Sequence, residues 1–75
     1  MRVTVRLFAT LREARGAELI EVGLPAGTTA AGASATLFDL PGLRVGYAVN
    51  AAFVSPDTPL AEGDELALLP PLGGG

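Results

Sequence analysis

The stretch ELALLPPLGGG, residues 65–75, decides how this chain is built. Leu66 and Leu68 are in phase with each other, which predicts a strand that buries one of its faces. Pro70 and Pro71 end that strand, because proline fixes φ and donates no backbone hydrogen bond. The glycines that follow have no side chains to pack against a core. We therefore expect a strand that aims a thin, flexible tail away from the body.

Composition narrows the chemistry that the 75 residues can perform. The chain has no cysteine and no histidine, and all five of its basic residues are arginine. It therefore lacks the usual thiol nucleophile, general base, zinc ligands and Schiff-base lysine. Its net charge of −3 argues against a nucleic-acid partner. The chain does not look like a self-contained enzyme.

Two features of the chain bear on its location and size. No apolar run reaches membrane-spanning length, and the N-terminal residues 1–4 do not resemble the start of a signal peptide. At this length the chain forms one domain with a small core. We therefore expect a single cytoplasmic domain over residues 1–75, with no membrane partner and with residues 72–75 as its tail.

Alternating apolar residues predict two strands in the N-terminal part of the chain. Residues 2–8 alternate apolar and polar side chains, and residues 18–24 do the same. Between them, residues 9–15 are rich in helix formers, and Gly16 is placed to end that helix. Two strands with a connection this short suggest an antiparallel pair.

A longer helix is predicted in the middle of the chain, from about Thr29 to Phe38. The oxygen of Thr28 or Thr29 can accept a hydrogen bond from a first-turn amide and so begin the helix. Most residues of the helix are small, so it can lie close to a sheet, although Gly32 costs about 1 kcal/mol relative to alanine. The pair Pro41-Gly42 is a strong stop.

Three further strands complete the pattern. We expect them at residues 43–49, 52–55 and 65–69, with turns at Asn50-Ala51 and at residues 61–64. The adjacent carboxylates of Asp64 and Glu65 are interpreted as part of a solvated turn, since neighbours on a strand face opposite sides. One main helix covering a sheet built from two hairpin-like halves is an α+β fold.

The motifs now described resemble those of the MoaD group, the small subunit of molybdopterin synthase, and less closely those of the thiamine sulfur carrier ThiS. The resemblance covers nearly the whole chain and is specific in the last third. Residues 28–46 depart from it, because family members usually carry a more charged, leucine-bearing helix there. It implies a ubiquitin-like β-grasp fold, a mixed sheet of four to five strands on one main helix. The matching residues are Phe8, Ala9, Leu11, Arg12, Glu13, Gly16, Ala48, Val49, Asn50, Val54, Asp57, Pro59, Leu60, Gly63, Asp64, Glu65, Pro70, Pro71, Gly74 and Gly75.

The resemblance implies a mechanism in which Gly75 is the reacting residue. An E1-like partner enzyme would use ATP to adenylate its carboxylate, and sulfur from a donor persulfide would displace AMP to leave a thiocarboxylate. Gly73 and Gly74 would complete the tail, although the family usually has a small polar residue in place of Gly73. The large subunit of the synthase would receive the tail. No cofactor or metal would be bound by this chain, since the ATP and the sulfur donor are used by the activating enzyme.

Strand parity adds a prediction about docking. The apolar residues of the first strand face the helix as far as Leu7, so Phe8 points away from it. By the same alternation Leu69 and Phe53 point away, and exposed apolar residues of this kind often mark interfaces. We expect the three to form one exposed patch near the tail. The residues predicted to bind a partner are Phe8, Phe53, Leu69, Pro70, Pro71 and Leu72.

Two alternatives to the molybdopterin synthase subunit stay open. The chain could carry sulfur for thiamine synthesis or for tRNA thiolation. It could also be a ubiquitin-like modifier that is joined to lysines of target proteins. The absence of lysine excludes lysine-linked chains of this protein, although a single attachment is compatible with the sequence.

Overall fold

The computed structural model describes residues 1–38 and 45–70. In these ranges the chain forms one sheet of five strands and two helices, and no helix is long and apolar enough to cross a membrane. Where both can be compared, the predicted ends agree with the structure to within one residue, except that the strand predicted from residue 43 begins at Gly46. The predicted stop at Pro41-Gly42 lies outside the described residues. The elements are β1 (Arg2–Leu7), α1 (Ala9–Arg15), β2 (Leu19–Gly23), α2 (Ala30–Leu37), β3 (Gly46–Val49), β4 (Ala52–Val54) and β5 (Glu65–Leu69).

The sheet is mixed, with the strand order β2-β1-β5-β3-β4. Only the central pair, β1 and β5, is parallel, and the other three pairs are antiparallel. The first and the last strand of the chain therefore lie side by side in the middle of the sheet, and the intervening chain, with α2, crosses over one face. This arrangement confirms the α+β prediction and the antiparallel pairing of the first two strands.

The core lies between this inner face of the sheet and α2. Alternation along β1 and β5 sends five aliphatic side chains inward, and each of them is completely buried. The small residues Ala30 and Ala33 of α2 are also completely buried, so the helix lies close to the strands as its composition predicts. The five aliphatic residues are Val3, Val5, Leu7, Leu66 and Leu68.

The main helix begins at a capped N-terminus. The side-chain oxygen of Thr29 accepts a hydrogen bond from the amide of Gly32 at 3.0 Å. The loop after β4 supplies two further acceptors, because the carbonyls of Thr58 and Pro56 accept from the amides of Ala30 and Ala31 at 3.0 and 2.8 Å. The free amides of the first turn are thereby satisfied by a side chain and by a neighbouring loop.

The short helix α1 connects β1 to β2. It has no side-chain cap at its start, where Phe8 is extended, and it ends at Gly16, whose positive φ of 71° is the left-handed conformation that favours glycine. The Gly16 amide donates to the carbonyl of Arg12 at 2.8 Å, and Leu11 is buried in the core. This confirms the predicted helix and its C-cap.

Asn50 ties the turn between β3 and β4 to the start of β5. Its φ of 49° and the φ of 71° at Ala51 form the left-handed pair that a two-residue hairpin turn requires. Its side-chain amide donates to Asp64 at 3.1 Å, and its side-chain oxygen accepts from the amide of Glu65 at 3.0 Å. The predicted turn is confirmed, and it also fixes the position of the strand that leads to the tail.

Candidate docking surface

The outer face of the sheet, which points away from α2, carries one continuous cross-strand row of side chains. The strand registers place Leu19 opposite Arg6, Arg6 opposite Ala67, Ala67 opposite Ala48, and Ala48 opposite Phe53. The row crosses all five strands, and we call it the outer row. Because the strands that carry its members are hydrogen-bonded neighbours in a fixed register, their order across the face is fixed by the fold.

The outer row has large apolar side chains at its two ends and small ones beside the centre. Phe53, on edge strand β4, is 83% exposed, and Leu19, on edge strand β2, is 50% exposed. Ala48 and Ala67 lie between them on β3 and β5, and of these small residues Ala48 is buried and Ala67 is half-buried. The row therefore has a shallow centre of small side chains and an exposed aromatic ring at one edge.

Leu69 and Phe8 extend this surface toward the end of β5. Leu69 lies opposite Gly46, and Phe8 directly follows Leu7, the residue paired with Leu68. Phe8 and Phe53 are exposed, as the parity argument predicts. Leu69 is half-buried, because its strand has neighbours on both sides, so it contributes less surface than predicted.

Phe53 and Leu69 share the outer face but lie on strands that are not neighbours in the sheet. Phe53 lies on β4 and Leu69 on β5, with β3 and its small residues Gly46 and Ala48 between them. Adjacent strands are about 4.8 Å apart, so the two side chains are separated by roughly 10 Å across the sheet. The surface is thus a broad area with a shallow centre, and its role in binding stays a prediction.

The strand that carries Leu69 also leads to the tail. Pro70 follows β5 directly and is half-buried. Pro71, Leu72 and the glycines Gly73, Gly74 and Gly75 lie outside the described residues, so their predicted roles stay predictions. The described part of the chain therefore ends at Pro70, directly after the central strand of the sheet.

Leu19 and Arg6 were missed as members of this surface. The alternation predicted for residues 18–24 puts Leu19 on the face opposite to Ile20 and Val22, so strand parity could have found it. Parity could not have shown that Leu19 and Phe53 belong to the same row, because that depends on the registers of four strand pairs.

The other end of the outer face is polar. Thr4 lies opposite Glu21 on one side and opposite Glu65 on the other. The guanidinium of Arg2 contacts Glu21 in an exposed ion pair, and the Arg2 amide donates to Glu62 at 2.9 Å. A single face of the sheet therefore divides into an apolar area near Leu69 and a polar area near the start of β1.

Arg6 lies at the boundary between these two areas. Its Nε donates to the side-chain oxygen of Glu65 at 3.1 Å. This hydrogen bond, followed by the Coulomb attraction of the same carboxylate, raises the pKa of Arg6 above its ordinary value. The pair links β1 to β5 on the solvent side of the sheet.

Residues 1–38 and 45–70 contain no group of three or more His, Cys, Asp or Glu side chains that could hold a metal ion. The side chain of Asp64 accepts hydrogen bonds from Asn50 and from the amide of Ala61, which agrees with its interpretation as a turn residue.

Comparison with known proteins decides the family. A family model described as the ThiS family matches residues 5–75. The chain belongs to the ThiS family. No match is found in a search of curated proteins. The match of the ThiS family model includes residues 5–7 of β1 and all of β5, and it continues through the glycines of the tail.

Solved structures show the ubiquitin-like β-grasp fold for this ThiS-family chain. A protein described as molybdopterin converting factor subunit 1 from Pyrococcus furiosus is 27% identical, with a TM-score of 0.80 over 96% of this chain and 99% of that one. A complex of subunits 1 and 2 of molybdopterin-converting factor from Helicobacter pylori contains a chain 28% identical, with a TM-score of 0.64 and full coverage of both chains. The resemblance to the MoaD/ThiS group is thereby confirmed.

A third solved structure shares the fold alone. Small archaeal modifier protein SAMP1 from Haloferax volcanii is 24% identical, with a TM-score of 0.81 and full coverage of both chains. Molybdopterin-converting factor subunits and a protein modifier are thus similar to this chain in backbone, and the fold does not separate their roles.

Proposed function

We propose that this ThiS-family protein is a sulfur carrier that acts as the small subunit of molybdopterin synthase. The observation that carries the proposal is the position of β5. This central strand presents Ala67 and Leu69 on the outer face and continues through Pro70 toward the glycines. A partner that covers the outer face would therefore receive the tail in the same encounter.

The chemistry proposed for the tail takes place at the carboxylate of Gly75. Its oxygen attacks the α-phosphorus of ATP on an E1-like enzyme, and pyrophosphate leaves. The terminal sulfur of a donor persulfide then displaces AMP, and a thiol cleaves the resulting disulfide to leave a thiocarboxylate. A thiocarboxylate is ionised and nucleophilic near neutral pH, so the carrier needs no histidine, lysine or cysteine of its own.

The body is proposed to supply the affinity that the tail does not. Ordering a glycine-rich tail in a partner's channel costs conformational entropy, so contacts elsewhere have to offset that cost. The exposed ring of Phe53 and the half-buried Leu69 offer apolar area for those contacts. The large subunit is the proposed partner, and the similarity to subunit 1 in the Helicobacter pylori complex supports it.

A carrier role in another pathway is the second candidate. The family model that matches this chain is described by the ThiS name, which favours thiamine synthesis. Identities of 27% and 28% to two molybdopterin-converting factor subunits favour the synthase. The body and the tail would act in the same way in both pathways, and only the receiving enzyme would differ.

Purification of the N-terminally tagged protein from its source organism separates these candidates. We expect the large subunit of molybdopterin synthase to co-purify with the full-length chain. Co-purification of a thiazole synthase instead would assign the thiamine pathway. A ladder of proteins covalently joined to the chain, lost when Gly75 is deleted, would replace the carrier proposal with the modifier function.

A further inference from the structure

Arg6 is the charged member of an otherwise apolar row. On the outer face it lies between Leu19 of β2 and Ala67 of β5. Its side chain is 35% exposed, which is about half the exposure of the Arg2 side chain at 72%. Any partner that contacts both Phe53 and Leu19 has to cross the position of Arg6.

The guanidinium of Arg6 has unused hydrogen-bonding capacity. Such a group has five N–H donors in a fixed plane. Among the described residues its hydrogen bond goes to Glu65, from Nε at 3.1 Å. Among the described residues the two terminal nitrogens have no hydrogen-bond partner, so their donors are open to water there.

Covering the outer row would remove that water. A charged group that leaves water without replacing its hydrogen bonds is costly, and the cost is recovered only when the partner supplies acceptors in good geometry. Glu65 balances the charge of Arg6 but bonds to one nitrogen. The partner therefore has to present acceptors to the terminal nitrogens.

A carboxylate is the acceptor that fits these nitrogens best. The terminal edge of a guanidinium matches a carboxylate with two parallel hydrogen bonds, and such pairs are shorter and stronger than those with neutral acceptors. The chain as a whole carries a net charge of −3, so a negative partner group is disfavoured at most positions. Arg6 is the position on the outer row where such a group is attracted.

We propose that the large subunit places a carboxylate, from an aspartate or a glutamate, on the terminal nitrogens of Arg6 when it covers the outer row. Arg6 is then a specificity-determining residue. The other residues of the outer row are apolar and would not fix the position of a partner along it, whereas the ion pair would. This inference rests on the proposed function, and it adds the charge that the partner surface carries.

The test compares Arg6→Met with wild type in affinity for the cognate large subunit, measured by calorimetry with full-length chains. Methionine keeps much of the length and apolar surface but removes the charge. We expect the Kd to rise by at least about tenfold, because the partner carboxylate would be left buried without a counter-charge. The matched control is Arg2→Met, on the polar area of the same face, for which we expect a change of less than about threefold.

A second variant tests the proposed ion pair by removing the carboxylate that Arg6 contacts within its own chain. Glu65→Gln removes the carboxylate that competes for Arg6 and leaves the guanidinium intact. If the partner brings its own carboxylate, we expect this variant to bind at least as tightly as wild type. Wild-type affinity should also fall more steeply with salt than that of Arg6→Met. Melting temperatures measured on all three variants confirm that each is folded.

Arg6→Met binding as tightly as wild type, or more tightly, would overturn the inference, since a purely apolar partner gains from an apolar side chain. Weaker binding by Glu65→Gln would overturn it too, because it would show that Arg6 has no second carboxylate to pair with. Both results leave the proposed function standing. A folded wild-type chain that does not bind the large subunit would instead refute the proposed function, and the inference with it.

Discussion

The inner and outer faces of the sheet are built from the same strands, yet they differ in almost every physical respect. On β5, Leu68 is completely buried against α2, while the next residue, Leu69, is half-buried on the other side. On β1, the inner residues are aliphatic and fully buried, while Arg6 and Thr4 face outward. Because side chains alternate along a strand, one segment can stabilise the domain with one face and bind a partner with the other.

The difference between the faces predicts that stability and binding depend on different residues. Burial of the inner side chains removes apolar area from water at about 25 cal/mol per Å², which stabilises the fold. Phe53, at 83% exposure, gains little in this way in the free protein. A substitution on the inner face should therefore act on unfolding, and one on the outer face should act on affinity.

Leu68→Asp should have the largest effect. It places a carboxylate without a partner at a completely buried position, so we expect the free energy of unfolding to fall by about 4 kcal/mol or more. A loss of that size leaves a domain this small largely unfolded. Circular dichroism during urea or thermal denaturation measures it, and a variant as stable as wild type would show that this face is not the core.

Phe53→Asp should affect binding and leave the fold intact. We expect affinity for the large subunit to fall by at least about 2 kcal/mol, or roughly thirtyfold, because an exposed aromatic ring on a flat surface is a typical anchor of an interface. The melting temperature should change far less than for Leu68→Asp. Unchanged affinity with lost stability would mean that Phe53 belongs to the core and that the two faces have been confused.

Leu19→Asp measures how far the interface extends along the outer row. Leu19 is exposed at the opposite edge, with Arg6 and the alanines between it and Phe53. A loss of affinity comparable to that of Phe53→Asp would indicate that the partner covers the whole row. A much smaller loss would restrict the interface to the strands β5, β3 and β4.

Asn50→Ala should have a moderate effect on stability. The substitution removes the side-chain hydrogen bonds to Asp64 and to the Glu65 amide. It also leaves a residue that has a Cβ atom at a positive φ, without those hydrogen bonds to stabilise the conformation. We expect a loss of about 1–2 kcal/mol in the free energy of unfolding. Asn50→Gly is the matched control, because it loses the same bonds but tolerates the backbone conformation, so its loss should be smaller.

Ser55→Ala should have the smallest effect, in the loop that supports the start of α2. The hydroxyl of Ser55 donates to Asp57 at 2.6 Å, and this bond, followed by a backbone hydrogen bond, lowers the pKa of Asp57 below its ordinary value. The stabilisation is present above the ordinary pKa and is lost as the pH falls through the lowered one. The variant should raise the pKa of Asp57, which an NMR titration of its carboxyl carbon measures. An unchanged pKa would show that the hydroxyl does not hold the carboxylate.

Local patterns predicted the elements because these elements depend on local chemistry. Alternation marked the strands, and Gly16 marked the end of the short helix. Thr28 or Thr29 was predicted to begin the main helix, and the structure shows that Thr29 caps it. That β5 lies beside β1 follows from the β-grasp fold that the resemblance implies, since no local pattern states which strands are neighbours.

Properties that depend on register or on distant contacts were not predicted. The outer row that joins Leu19 to Phe53 requires the registers of four strand pairs, each of which is set by the whole sheet. The glycine at 32 was counted as a cost to the helix. The structure gives a reason for it, because a Cβ there would lie 3.2 Å from the capping oxygen of Thr29 and crowd the cap.

The most direct test of the carrier function is the mass of the intact protein after reaction with its activating enzyme, ATP and a persulfide donor. We predict a gain equal to one exchange of oxygen for sulfur, located at Gly75 by fragmentation. A variant with one residue added after Gly75 should fold as wild type does and should neither gain this mass nor support sulfur transfer. If the extended variant still delivers sulfur without being trimmed, the proposed carrier function is wrong.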